Sequence, residues 1–133
     1  MSGETNLETL IRTMKPALDP NEYVFACLPA RDWAAATDLK PLSLFQEEEG
    51  LTLIIAKQEA DRHGIDYAGV FGRITLTVHS SLEAVGLTAA VAAQLTRAGI
   101  SANVVAAYYH DHIFVPRDAA ERALRALVEL TQT

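Results

Sequence analysis

The chain has 133 residues, half of them hydrophobic and about a fifth charged, which suits one domain or two small halves sharing a core and excludes a disordered chain. Seventeen acidic residues against eleven basic ones leave a net charge of -6; the lysines and arginines stand singly, so no phosphate-backbone-binding surface is expected. A single cysteine rules out an internal disulfide, and the start of the chain lacks a basic region followed by an apolar run, so the expectation is a cytoplasmic protein without a signal peptide.

Leu7, Leu10, Ile11 and Met14 recur at helical spacing, with Asn6 placed to cap that helix and Pro16 to stop it. Asp19-Pro20-Asn21 then reads as a turn. Tyr23 to Leu28 is a short apolar run of strand type, in which Cys27 reads as a small buried hydrophobe rather than a nucleophile. The stretch from Pro29 to Pro41 reads as loop with room for one helical turn, and Trp33 as a core or loop-packing residue. Leu42, Leu44 and Phe45 form the next strand, ahead of Glu47-Glu48-Glu49-Gly50. That cluster is a solvated turn, because three adjacent carboxylates cannot all face one ion. Leu51 to Ala56 reads as a buried strand, and Lys57 to His63 as a helix closed by Gly64. Asp66 to Gly69 joins two halves.

The second half is more regular. Phe71 to Val78 alternates, with Ile74, Leu76 and Val78 on one face and Arg73, Thr75 and Thr77 on the other. Ser81 reads as the start of a helix running to Gly99, with Leu82, Val85, Ala89, Ala92 and Leu95 along one stripe and Leu87 and Val91 along a second. Ser101 to Tyr108 is the next strand, His110-Asp111 a tight turn, and His112 to Val115 the returning strand of a hairpin ended by Pro116. Asp118 and Glu121 read as a capping box for a last helix with Ala120, Ala123, Leu124, Leu127 and Val128 on its apolar face. Strand, helix, strand, strand, helix is the split βαβ pattern of a ferredoxin-like sheet that lacks only its last strand. The first half offers three strands and one short helix, its first crossover helix degenerate. The expected fold is therefore α+β: two βαββαβ halves, 1–68 and 69–133, with antiparallel sheets, helices on one face, and one half lending a strand to the other.

Several residues could carry chemistry. Ser80 and Ser81 cap a helix more readily than they attack a substrate, since no elbow-type glycine pattern surrounds them. Gly86 lies inside a helical pattern, where it costs about 1 kcal/mol against alanine, and such a glycine marks close approach of a backbone or a ligand. The helix start presents unpaired N–H groups and a positive dipole end, suited to a carboxylate. Asp111 has three readings: a turn residue bonding its own backbone, a ligand-binding carboxylate, or a metal ligand. His110 and His112 would share a face in a continuing strand, with Asp111 pointing away. With His79 they leave open zinc-type or acid–base chemistry, but no second ligand pair at helical spacing exists, and neither a metal nor a cofactor is assigned.

The stretch TLTVHSSLEAVGLTAAVAAQLTRAGISANVVAAYYHDHIFVP, Thr75 to Pro116, resembles the second module of bacterial tandem ACT-domain proteins, distant relatives of CASTOR-type arginine sensors. The likeness is carried by the Ser-Ser-Leu loop, Val85-Gly86-Leu87, Ala98-Gly99-Ile100-Ser101 and Tyr109-His110-Asp111-His112; YVFACL and LSLFQEEEGLTLII in the first half resemble the N-terminal module more loosely. The resemblance implies a non-catalytic regulatory module that binds an amino acid where the loop after the first strand, here His79 to Leu87, meets a neighbouring module. It places His79, Ser80, Ser81, Leu82, Val85, Gly86 and Leu87 along the ligand. It also implies that Asp111, before the hairpin strand, reads a cationic group, with His110 and His112 beside it where the sensors carry other residues. A homodimer is implied as well. A structural or protein-interaction module, and a small His/Asp-based metal-dependent enzyme, are the alternatives.

Overall fold

A computed structural model describes every residue except Met1, Ser2, Glu4, His79, Ser80, Leu82 and Glu83. In chain order its elements are α1 (Leu7–Thr13), β1 (Pro16–Leu18), β2 (Tyr23–Leu28), α2 (Trp33–Asp38), β3 (Ser43–Gln46), β4 (Leu51–Ala56), α3 (Lys57–His63), β5 (Phe71–Leu76), α4 (Leu87–Arg97), β6 (Asn103–Ala106), β7 (Asp111–Pro116), a 3-10 turn at Arg117–Ala119, and α5 (Ala120–Thr131). They gather into two compact units. One joins Met1–Pro20 to Gly72–Thr133, and the other is Asn21–Phe71. No helix among the described residues is long and apolar enough to cross a membrane.

The discontinuous unit has the strand order β1-β5-β7-β6. β6 and β7 form an antiparallel hairpin with Val104 opposite Ile113, and β1 runs antiparallel to β5 with Leu18 opposite Ile74. The strand that the second half lacks is thus Pro16–Leu18, in a stretch the sequence marks as the end of a helix and a turn. Three residues beginning with proline carry no strand pattern of their own; pairing with β5 makes them a strand. Alternation on β5 and β7 turns Ile74, Leu76, Ile113 and Val115 to one face, where Leu87, Val91 and Leu95 of α4 and Ala120, Ala123 and Leu127 of α5 cover them. Leu10 of α1 and Met14 just after it complete this core. Asn6 caps α1 as expected, its side chain accepting from Thr9 N–H at 2.9 Å. α5 can lie close on the sheet because Gly72 has no side chain: a Cβ there would sit 2.9 Å from that of Ala120. The expected capping box is not formed. A 3-10 turn precedes α5, and Glu121 pairs with Arg117 one turn back.

The continuous unit has the order β3-β4-β2, all antiparallel, with Val24 opposite Ile55 and Leu44 opposite Leu53. Val24, Ala26 and Leu28 alternate onto the same face as Leu51, Leu53 and Ile55, against Ala36 and Leu39 beside α2 and Ala60 of α3. Its crossover helix exists but is only 6 residues long. The opposite face carries Phe25 against Phe71, edge to face at 5.1 Å between ring centroids. Cys27 lies on this face, away from the helices, and is exposed, not buried. Phe45 is 70% exposed. The chain therefore folds as two ferredoxin-like α+β halves.

Candidate functional site

The crossover of the discontinuous unit departs from the sequence expectation at the start of α4. The helix begins at Leu87, not near Ser81. Gly86 stands just outside it with φ of 99°, a left-handed conformation that a side chain resists, and its carbonyl accepts the first helical bond from Ala90 N–H at 2.9 Å. A Cβ on Gly86 would also lie 2.9 Å from Leu7 Cδ2. The buried face is the expected second stripe and not the first: Leu87, Val91 and Leu95 are buried, Ala89 is exposed, and Val85, which precedes the helix, is 82% exposed. Before Gly86, the amide of Ala84 bonds the Ser81 carbonyl at 3.0 Å in a turn. His79, Ser80 and Leu82, which belong to the expected ligand loop, lie outside the described residues.

Gly86 brings no side chain to cap α4. The N–H groups of Leu87, Thr88 and Ala89 thus open the helix ahead of its first intrahelical bond, at the positive end of its dipole. Asp111 lies close by. It is the first residue of β7, opposite Ala106, and not part of the turn, which falls at Tyr108-Tyr109 and is closed by Ala107 N–H on the His110 carbonyl at 3.0 Å. That register aims Asp111 to the same side as Ile113 and Val115, toward the helix layer. Its residue is only 8% exposed and Ser81 only 6%. Ser81, Ala84, Gly86, Leu87, Thr88, Ala106 and Asp111 line one cavity of about 160 Å³.

Burial pushes the Asp111 carboxyl above its ordinary value, and the neighbouring His110 offsets this in part. Among the described residues no hydrogen-bond donor meets the carboxylate. It is thus a partly desolvated carboxyl lining a small cavity at a helix start with no side-chain cap among the described residues, an arrangement that favours a cation at one end and an anion at the other.

The histidines do something else. His110 Nδ1 bonds the Val78 carbonyl at 3.2 Å, and His112 Nδ1 shares a 2.9 Å bond with Thr75 Oγ1 on the face away from the helices. Burial, then the charges of Arg73 and His110, push His112 below the usual imidazole range. His112 and Asp111 therefore point to opposite sides of the sheet. Among the described residues no group of three or more His, Cys, Asp or Glu is placed to hold a metal ion. Of the residues named from the sequence, Ser81, Gly86, Leu87 and Asp111 come together in the cavity; Val85, His110 and His112 do not line it. Ala84, Thr88 and Ala106 were not foreseen. Ala106 could have been found from the hairpin register opposite Asp111, and Thr88 only once the helix start was known.

Two split-βαβ units, one with a polar cavity where its long crossover helix begins, define a tandem ferredoxin-like protein. Two family profiles match it, both described as the ACT domain, one over residues 2–72 and the other over 72–129. The chain belongs to the ACT-domain family. A Vibrio cholerae protein described as of unknown function, possibly a transport protein, is similar at 48% identity and a TM-score of 0.85, with 95% of this chain and 96% of that one covered. An Agrobacterium tumefaciens protein is similar in fold at 18% identity and a TM-score of 0.70, with 89% of each chain covered. The regulatory subunit of aspartate kinase from Thermus flavus is likewise similar in fold, at 13% identity and a TM-score of 0.64, covering 86% of this chain and 95% of that one. No curated protein matches the chain.

Proposed function

We propose that this protein is a non-catalytic regulatory module that binds an amino acid in the cavity between Gly86 and Asp111. The observation that carries the proposal is the Asp111 carboxylate: nearly buried, without a hydrogen-bond donor among the described residues, and lining a cavity at a helix start that its glycine leaves uncapped. An α-ammonium group there replaces the solvation that Asp111 has lost, and an α-carboxylate meets the N–H groups at the start of α4. One zwitterion thus satisfies both ends. The likeness in fold to an aspartate kinase regulatory subunit and the family's regulatory character agree with this role.

Signalling then follows from association. A ligand that binds one arrangement of a cytoplasmic homodimer better than another shifts the balance by no more than its difference in affinity. We further propose that the resemblance to CASTOR-type arginine sensors extends to the place of the site and its acidic residue. The test is thermal unfolding of the full chain with each of the twenty amino acids at millimolar concentration. One or a few raise the melting temperature; no shift with any of them, on protein shown to be folded, overturns the proposal.

A further inference from the structure

We infer that the cavity selects an amino acid of alanine to threonine size with an uncharged side chain, and that it excludes arginine. The inference rests on the amino-acid reading above. The cavity holds about 160 Å³. A well-studied engineered cavity of about 150 Å³ takes benzene, which has as many heavy atoms as alanine; serine and threonine add one and two more, whereas arginine doubles the number.

The buried part of the wall gives little room to adapt, while Thr88 and Ala106 stand at the exposed mouth of the cavity. Leu87 is buried in the same core as Val91 and Leu95, so moving it outward disturbs the packing of α4 on the sheet. Gly86 is held on its far side by Leu7. Ala106 belongs to β6, pinned to β7 by the hairpin ladder. Ala84 and Ala106 are already small, and their methyl groups bound the space.

Charge narrows the choice further. Asp111 is the sole ionisable group among the described lining residues. It balances one ligand cation, the α-ammonium. A basic side chain brings a second cation with no second acidic partner, and an acidic side chain brings a like charge toward a carboxylate that burial has already desolvated. The remaining lining side chains are the hydroxyl groups of Ser81 and Thr88, two methyl groups and Leu87, a lining that accepts a methyl or hydroxymethyl group.

Titration calorimetry on the full chain with alanine, serine, threonine, leucine, glutamate and arginine tests this. At least one of the first three binds, and arginine and glutamate bind about a hundredfold more weakly or not at all. Ala106→Leu, a substitution at an exposed residue of the lining, narrows the cavity and weakens threonine binding more than alanine binding; circular dichroism and thermal unfolding establish that the variant is folded. Arginine or leucine binding as tightly as alanine overturns the size inference and leaves the amino-acid reading standing. No binding by any of the twenty overturns both. Binding of small amino acids unchanged in both Ala106→Leu and Asp111→Asn places the ligand elsewhere and overturns the inference.

Discussion

The two units build the same crossover, strand to helix to hairpin, and end it differently at the helix start. In the continuous unit α2 is short and begins at Asp32, whose own carboxylate accepts from Ala35 N–H at 3.3 Å. In the discontinuous unit α4 has 11 residues and begins at Gly86, which has no side chain to offer. One helix meets an opening donor, that of Ala35, with a side chain of its own sequence. The other leaves its opening donors at a cavity and sets a buried carboxylate, Asp111, in the same wall. Under the proposed function, a fold that repeats itself keeps one copy as scaffold and makes the other the binding copy by exchanging a capping side chain for a glycine.

That contrast can be broken most directly at Gly86. Gly86→Ala forces a side chain into the left-handed region and against Leu7, so a loss of about 1–3 kcal/mol in urea unfolding is expected, together with weaker ligand binding; a neutral outcome on both counts removes the glycine from the explanation. The reciprocal change is milder. Asp32→Ala removes the self-cap of α2 and is expected to cost about 0.5–2 kcal/mol while leaving amino-acid affinity unchanged in calorimetry; a change in affinity would mean that the scaffold copy also takes part in binding.

The smallest effect is the pH dependence of Asp111. Its folded-state pKa is raised above the unfolded value, so its contribution to stability is fully present below about pH 4 and is lost as pH rises through the folded value. Thermal melts of the ligand-free protein should therefore show Asp111→Asn gaining on the wild type as pH rises above about 4, and the gap closing below it. Saturating ligand should flatten the wild-type curve. The absence of any difference would mean that Asp111 is well solvated.

Where pattern and tertiary environment agree, the sequence is sufficient. The apolar run Leu51 to Ala56 and the helix closed by Gly64 with φ of 67° appear where the residues put them, and the alternating strand from Phe71 does too, except that it ends at Leu76 rather than Val78. Elsewhere local signals mislead for identifiable reasons. Alanines on either side of Gly86 continue a helical composition through a residue whose backbone is left-handed, so the helix reads one turn and more too long. Pro16–Leu18 has no alternation to show, because its strand state is conferred by Leu76, Thr75 and Ile74 opposite it. For the site, the resemblance implies Ser81, Gly86, Leu87 and Asp111 and the meeting of the helix start with the hairpin acid, though between modules rather than within one unit. Their meeting within one unit depends on the register placing Asp111 opposite Ala106 and facing inward. The same register turns His112 away, which spacing alone could not separate from a ligand pair.

The edge strand Pro16–Leu18 also fixes an order of events at the ribosome. Leu10 and Met14, which end fully or nearly buried, are synthesised long before Ile74, Leu127 and the other residues that cover them. Residues 21–71 emerge in between with a core of their own. Translation thus holds an apolar N-terminal segment in waiting, across more than fifty residues of already closing chain, until α5 is made. Slowing elongation within 72–133 lengthens that wait and should raise the demand for a chaperone at the nascent N-terminus.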